Sequence, residues 1–213
     1  MNVREVAPGL WIWSAYHDSW KENVGSVYCE TDDGVALIDP LVPTDDAERF
    51  WRALDRDVER AGGAVHVLLT VFWHARSAGA VAERYGARTW VPRRSRGPVT
   101  RRGIAVTDPF RPGDELPGGI EAFPTARSNE VVYWLPRHRA LVPGDVLLGA
   151  DTGGVRLCPP SWLPASTSRD DLAGSLRPLL ELPISRILVS HGEPVLRGGR
   201  KALAAALSPR ESS

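Results

Sequence analysis

The stretch "VHVLLTVFWHARSAGA" (65–80) joins an apolar strand to a helix through a short polar loop. The apolar run ends at Thr70, and small residues suited to a helix follow the loop. Between them lie Trp73, His74 and Arg76, whose side chains can stack, exchange a proton or bind an anion. Loops held by a rigid strand often carry catalytic groups. This loop is therefore the first candidate for a functional site.

Extended segments separated by Gly, Pro and Asp surround this stretch on both sides. The predicted strands cover 9–13, 26–31, 35–40, 65–70, 87–92, 104–110, 119–125, 130–136, 140–148 and 186–192. The predicted helices run from the cap Thr44 to Gly62, over about 77–85, from the cap Ser168, and over 200–207. Both halves alternate sheet and helix, which predicts one domain (1–213) with two sheets between helices. The polar tail, about 208–213, is expected to be disordered.

Composition excludes several classes of protein. Acidic and basic residues balance at 26 each, so no net field favours nucleic acid or a membrane as partner. Two cysteines make no disulfide framework, and neither a signal peptide nor a membrane-length apolar run is apparent. We expect a cytoplasmic protein without a nucleic-acid or membrane partner. The arginine-rich stretch 91–103 is predicted to be a solvated loop or a subunit contact, which leaves a homo-oligomer open.

Four short texts stand in a fixed order along the chain. They are "ALIDP" (36–40), "LLT…SAGA" (68–80), "PGD" (143–145) and "VSHGEP" (189–194). With this order the sequence resembles the metallo-β-lactamase superfamily from about Gly9 to Leu207. The resemblance implies an α+β fold, a four-layer αββα sandwich, and a hydrolase-like protein. It also implies that Asp39 ends an early strand, that Asp145 matches the bridging aspartate and that His191 matches the final histidine.

The superfamily's main metal motif, His-x-His-x-Asp-His, follows its threonine directly. Laid without gaps after Thr70, its ligand positions hold Val71, Trp73, Ala75 and Arg76. A further histidine position holds Ala126 or Arg127, so only Asp145 and His191 remain of the expected ligands. The fixed positive charge of Arg76 also opposes a dication. The sequence therefore predicts a degenerate metal site without the two-zinc centre and without any cofactor.

Three uses of such a pocket stay open. In a pseudoenzyme, Arg76 would pair with Asp145 in the space of the metal, Trp73 would pack the floor, and His191 would bond nearby backbone.

The second use is a metal-independent binding protein or enzyme for a small anionic or carbonyl-bearing molecule. The predicted ligand-binding residues are Trp73, Arg76, Arg127 and Trp162. The predicted catalytic residues are His74 and His191 as general acid or base, oriented by Asp145. The third use is a hydrolase with a rearranged single-metal site built from His74, Asp145 and His191, for which the ring of His74 must turn inward.

Overall fold

The computed structural model describes residues 1–151 and 153–208, and this part of the chain forms thirteen strands and five α-helices. The strands are β1 (Asn2–Ala7), β2 (Leu10–His17), β3 (Glu22–Thr31), β4 (Gly34–Ile38), β5 (Ala64–Leu68), β6 (Arg88–Pro92), β7 (Asp108–Phe110), β8 (Glu121–Pro124), β9 (Val131–Leu135), β10 (Ala140–Val142), β11 (Leu147–Gly149), β12 (Val155–Leu157) and β13 (Arg186–Ile187). The helices are α1 (Ala47–Ala61), α2 (Ala78–Tyr85), α3 (Arg96–Thr100), α4 (Arg169–Leu176) and α5 (Gly199–Leu207).

Two sheets carry most of these strands. The larger has seven strands in the order β1-β2-β3-β4-β5-β6-β7. Short turns join β1 to β4, so these strands pair antiparallel, whereas helical crossovers make β4 to β7 parallel. The smaller sheet has the order β13-β10-β9-β8, and β11 pairs with β12 separately. Two parallel neighbours, β4 and β5, therefore end at the same edge of the larger sheet.

Three buried apolar clusters define the layers. One lies between the two sheets and includes Leu10, Val27, Ile38, Leu68, Tyr133 and Leu135. A second, between the larger sheet and α1 and α2, includes Tyr28, Leu37, Phe50, Leu54, Val67 and Val81. A third, between the smaller sheet and α4 and α5, includes Trp134, Leu141, Leu172, Leu176, Leu203 and Leu207. Alternating side chains of each strand face opposite clusters, which gives the αββα order that the sequence predicted.

Several element boundaries differ from the predicted ones. Helix α1 starts at Ala47 after Asp46 rather than at a Thr44 cap. The predicted strand 140–148 divides at Pro143 and Gly144, where a proline without an N–H and a glycine with φ 59° interrupt the ladder. That division places Asp145 in a turn between β10 and β11. By contrast, Ser168 caps α4 as predicted, through a reciprocal capping box with Asp171.

Elements without a sequence signal are β1, β12 and α3. The arginine-rich stretch predicted as a loop contains α3, in which Pro98 sits in the first turn and Val99 is buried. The predicted strand 104–110 keeps only β7, Asp108–Phe110. The predicted disorder of the tail falls on residues that, from 209 onward, lie outside the described part of the chain.

Across residues 1–151 and 153–208, no helix combines the length and the apolar character that crossing a membrane requires.

Two glycines hold the segment after β13 between neighbouring strands. The N–H of Gly25 in β3 donates to the carbonyl of Ser190, with 2.7 Å between N and O. The N–H of Gly149 in β11 donates to the carbonyl of His191 at 2.8 Å. A Cβ at Gly25 would lie 2.5 Å from the Val189 carbonyl oxygen, and one at Gly149 would lie 2.5 Å from the Glu193 nitrogen. Only glycine permits this approach, which fixes the backbone of His191.

Replacing Gly25 with alanine should therefore destabilise the protein. The added methyl group has to displace main chain, and such overpacking costs about 1–3 kcal/mol. Urea unfolding followed by circular dichroism measures the change. The matched control is Gly174→Ala in α4, where the site is exposed and a Cβ meets no atom within 4 Å. This control should be neutral or stabilising by up to about 1 kcal/mol. Equal stability of the two variants would contradict the packing argument.

Candidate metal centre

The ends of four strands bring polar side chains to one place. Asp39 follows β4, and His74 lies in a one-turn 3-10 helix (Phe72–Ala75) shortly after β5. Asp145 lies in the turn after β10, and His191 lies in the segment after β13. All four side chains are buried. The two sheets thus each contribute one acid and one histidine.

Asp39 is the best-bonded of these groups. Its Oδ1 accepts the Thr70 backbone N–H at 2.8 Å, and its Oδ2 accepts the Thr70 hydroxyl at 2.5 Å. The same Oδ2 lies 2.8 Å from Nδ1 of His74. The residue adopts φ 49°, a left-handed conformation that is uncommon outside glycine and is paid for by these bonds. Asp39 therefore links the ends of β4 and β5 and fixes one side of the His74 ring.

His74 is fully buried between two carboxylates. Its Nδ1 faces Asp39, and its Nε2 lies 3.1 Å from Oδ1 of Asp145. Burial lowers the pKa of His74, but the charges of Asp145 and Asp39 outweigh burial and raise it to about 9. The ring thus points into the site and carries a proton readily when no other cation is bound.

Asp145 has one bonded and one unbonded oxygen. Its Oδ2 accepts the indole N–H of Trp73 at 2.6 Å. Its Oδ1 lies 3.1 Å from Nε2 of His74 and 3.2 Å from Nε2 of His191. Burial raises the pKa of Asp145, but the positive charges of the two histidines that face Oδ1 hold it well below its usual range. Oδ1 is thus an anionic oxygen turned toward two imidazoles.

The buried Glu130, which lies against the buried Arg127, anchors the backbone of Asp145. Oε1 of Glu130 accepts the Asp145 backbone N–H at 2.5 Å, and Oε2 lies 2.9 Å from Nη1 of Arg127. Burial, together with the charge of Asp145, raises the pKa of Glu130 to about 8, although the charge of Arg127 lowers it. Oε1 thus accepts an N–H donor, whereas Oε2 lies close to the guanidinium without a hydrogen bond of good geometry. The guanidinium of Arg127 also lies over the ring of Trp73, 4.6 Å from its centroid.

His191 completes the cluster from the smaller sheet. Its Nε2 faces Asp145, and its Nδ1 lies 3.3 Å from Oε2 of Glu22 at the start of β3. Each histidine therefore turns Nε2 toward Asp145 and Nδ1 toward a second carboxylate. A pocket of about 460 Å³ opens beside this cluster. Its lining consists of Trp20, Glu22, Trp73, Arg127, Asp145, Trp162 and His191.

A comparison with known protein families identifies the family of this chain. The family model of the metallo-beta-lactamase superfamily matches residues 4–208. The chain belongs to the metallo-β-lactamase superfamily. No protein with curated annotation matches the sequence.

Similar solved structures agree on the fold. A metallo-beta-lactamase from Pontibacter korlensis is 15% identical, with a TM-score of 0.70 over 97% of this chain and 98% of the other. The metallo-beta-lactamase IND-7 gives 15% identity and a TM-score of 0.70, covering 97% of each chain. The metallo-beta-lactamase DIM-1, exposed to ceftazidime, gives 14% and 0.69, covering 97% and 95%. At these identities the likeness supports the αββα fold of the superfamily.

The three groups His74, Asp145 and His191 fit a metal ion. One ligand atom from each lies within 4.8 Å of the others, and all three residues are buried. Around a zinc ion, bonds of roughly 2.0–2.2 Å place neighbouring ligand atoms about 3–3.5 Å apart, which the contacts of 3.1 and 3.2 Å to Asp145 match. Among the described residues, Nε2 of His74 and Oδ1 of Asp145 are buried without a hydrogen bond of good geometry. Such groups are costly unless a proton or a cation joins them.

The sequence prediction that the protein has no metal cofactor is wrong. The chain belongs to a metallo-β-lactamase superfamily, and its structure assembles a His–Asp–His cluster that could hold a metal ion. The prediction failed because it assigned ligands by their position after Thr70. The 3-10 turn (Phe72–Ala75) and the left-handed φ of 32° at Arg76 change the path of the loop. As a result, the ring of His74, one residue away from the expected register, turns inward.

Arg76 does not form the salt bridge to Asp145 that the pseudoenzyme hypothesis required. Its Nη1 donates to the carbonyls of Gly25 at 2.8 Å and Asp39 at 3.0 Å, and its Nη2 donates to Ser190 Oγ at 3.3 Å. The carboxylate of Asp145 instead lies against Trp73, His74 and His191. Arg76 therefore joins main-chain segments of both sheets, and its charge is balanced by the surrounding acids.

The other predicted site residues have mixed placements. Trp73, Arg127 and Trp162 line the pocket, whereas Arg76 is not part of that lining. The assignment of these four residues to ligand binding stays a prediction. The assignment of His74, Asp145 and His191 to catalysis also stays a prediction. Trp20, Glu22 and Glu130 were not predicted as site residues. Trp20 and Glu22 flank the turn between β2 and β3, and no motif distinguishes them until the strand pairing is known.

Removing the indole N–H of Trp73 should destabilise the protein, because Oδ2 of the buried Asp145 would lose its only side-chain donor within the described residues. A buried acceptor left without its donor costs about 1–3 kcal/mol. We expect this loss for Trp73→Phe in chemical denaturation at neutral pH. The control is Trp51→Phe in α1, whose indole N–H takes part in no hydrogen bond that the structure describes. A Trp73 variant no less stable than the control would argue against the bond.

Proposed function

We propose that this protein is a hydrolase that uses a divalent metal ion held by His74, Asp145 and His191. The observation that carries the proposal is the convergence of their three buried ligand atoms within 4.8 Å. Two imidazoles and a carboxylate are ligands that zinc and iron both accept. Catalytic zinc sites keep three protein ligands and leave further coordination open. The cluster supplies that number.

Two outer carboxylates prepare the histidines for this role. Asp39 faces Nδ1 of His74, and Glu22 faces Nδ1 of His191. A carboxylate at Nδ1 keeps the proton on that nitrogen, leaves the Nε2 lone pair free and fixes the ring plane. Both Nε2 atoms point toward Oδ1 of Asp145. This arrangement of oriented histidines supports ligation more strongly than the residue types alone.

Asp145 is held for ligation through one oxygen. The Trp73 N–H engages Oδ2, and the Asp145 backbone is anchored by Glu130. Oδ1 remains directed at the histidines. A bound ion would supply Lewis-acid activation of water and of a substrate carbonyl or phosphoryl oxygen. The chain itself contributes ligand orientation and a pocket in which the substrate is held beside the cluster.

Metal content tests the first half of the proposal. We expect about one zinc or iron ion per chain in protein purified without a metal-affinity tag, measured by elemental analysis. Replacing His191 with glutamine should weaken zinc binding by more than about tenfold in calorimetry, since orienting partners alone are worth 10–100-fold.

The control for this variant is His138→Gln. His138 lies before β10, at the opposite end of that strand from Asp145. It should bind zinc as the wild type does. Absence of metal at micromolar free zinc, or unchanged affinity in the His191 variant, would contradict the proposal.

Turnover tests the second half. The zinc-loaded protein is screened against chromogenic esters, lactams and phosphodiesters, with the His191 variant as the inactive reference. We expect hydrolysis of at least one class that the variant loses. Metal binding without any turnover would instead favour the pseudoenzyme.

A further inference from the structure

We propose that the pocket selects a substrate with a flat apolar group that is uncharged or positively charged, rather than an anion. The proposal rests on the proposed hydrolase function only in naming the ligand a substrate. Its basis is the distribution of indole rings and charges around the pocket, which differs from the anion site that the sequence suggested.

Indole rings form much of the pocket wall. Trp20, Trp73 and Trp162 are three of the eight tryptophans of the chain, and they come from three separate segments. The rings of Trp20 and Trp162 lie 6.0 and 5.8 Å from the ring of His191. Trp162 is 41% exposed, so part of its ring remains open to a ligand. These rings offer an apolar ligand surface directly beside the cluster.

The arginine that lines the pocket, Arg127, lies against a buried acidic residue. Its Nη1 lies 2.9 Å from Oε2 of Glu130, and both side chains are buried, 7% and 0% exposed. Its guanidinium also lies over the ring of Trp73. An incoming anion would meet a guanidinium that is only 7% exposed and is already packed against Glu130 and Trp73. Arg127 therefore belongs to the pocket wall and presents little accessible charge to a ligand.

The second arginine expected to bind an anion is engaged elsewhere. Arg76 donates to two main-chain carbonyls and to Ser190, and its guanidinium lies 5.4 Å from the Trp20 ring centroid. It is absent from the pocket lining. Neither predicted anion-binding arginine is thus free to neutralise a ligand carboxylate or phosphate.

The accessible charge at the pocket is negative. The side chain of Glu22 is 48% exposed and lines the pocket beside His191. A carboxylate next to indole faces attracts a cation through charge and through the quadrupole of the rings. The same carboxylate repels an anion. The wall therefore favours an aromatic or similarly flat group with an ammonium or a neutral polar substituent.

Three probes with one ring system and different charges test this preference. Naphthylmethylammonium, naphthylmethanol and naphthoate are titrated into the protein by calorimetry at low ionic strength. The protein is metal-free, so that no bound metal ion can attract the carboxylate of naphthoate. We expect the ammonium to bind most tightly and the naphthoate most weakly, with about threefold to tenfold between successive probes for one partly exposed charge. Naphthoate binding as tightly as the ammonium would overturn the proposal.

Two variants locate the binding. Trp162→Ala should weaken all three probes by about threefold or more. Glu22→Gln should weaken the ammonium, strengthen naphthoate and leave naphthylmethanol unchanged, which reduces the selectivity among the three probes to about one. The matched control Trp51→Ala removes an indole on α1 and should change no probe. Unchanged binding in the Trp162 variant would place the probes elsewhere and overturn the proposal.

The outcome is separable from that of the hydrolase proposal. Probe selectivity is measured without metal and without turnover, whereas the metal proposal is judged by stoichiometry and by the His191 variant. If the probes show the expected selectivity but the protein binds no metal, the pocket is a cation-preferring binding site and the hydrolase proposal fails. If the protein binds metal but the metal-free protein prefers naphthoate, the hydrolase proposal stands and the proposed substrate class is rejected.

Discussion

The carboxylate of Asp39 is the interaction on which the site depends. Both of its oxygens are engaged: one by the Thr70 backbone, the other by the Thr70 hydroxyl and by His74. It follows β4, and its partners follow the parallel neighbour β5, so the bonds also join two strand ends. Because Asp39 is buried, each bond forms in a medium of low polarity, where it is strong and where its loss is costly. The sheet register and the ring orientation of His74 are therefore fixed together.

The electrostatics of the cluster follow from that arrangement. Asp39 and Asp145 lie on opposite sides of one imidazole, and the pKa of His74 rises to about 9 despite complete burial. A buried carboxylate such as Asp145 needs a positive partner. A proton on His74 or a dication among the three ligands can each meet that need. The same geometry thus stabilises the folded chain and prepares a cation site, while Trp73 and Glu130 keep the acid in one orientation.

The fold was accessible from the sequence because its signals are local. Apolar periodicity marked β4, β5 and α1, and the "SAGA" text marked the start of α2. The candidate metal site was predicted only in part, because the cluster of His74, Asp145 and His191 was one of three alternatives. Ligand spacing after Thr70 suggested its loss, yet a 3-10 turn ending at a left-handed Arg76 moved His74 into the site. A spacing rule assumes a loop path, and non-glycine residues with positive φ are hard to foresee.

By itself the sequence determined that sheets alternate with helices in both halves of the chain, and it placed one histidine in the loop after Thr70. These follow from short-range patterns of hydrophobicity and turn residues. Only the tertiary structure decided the direction of the His74 ring, the partners of Arg76 and Arg127, and the place of Glu22 and Trp20 in the pocket. Those outcomes depend on contacts between residues far apart in the chain. Their energies are settled by burial and by competition among many hydrogen-bond partners, which no single stretch of sequence contains.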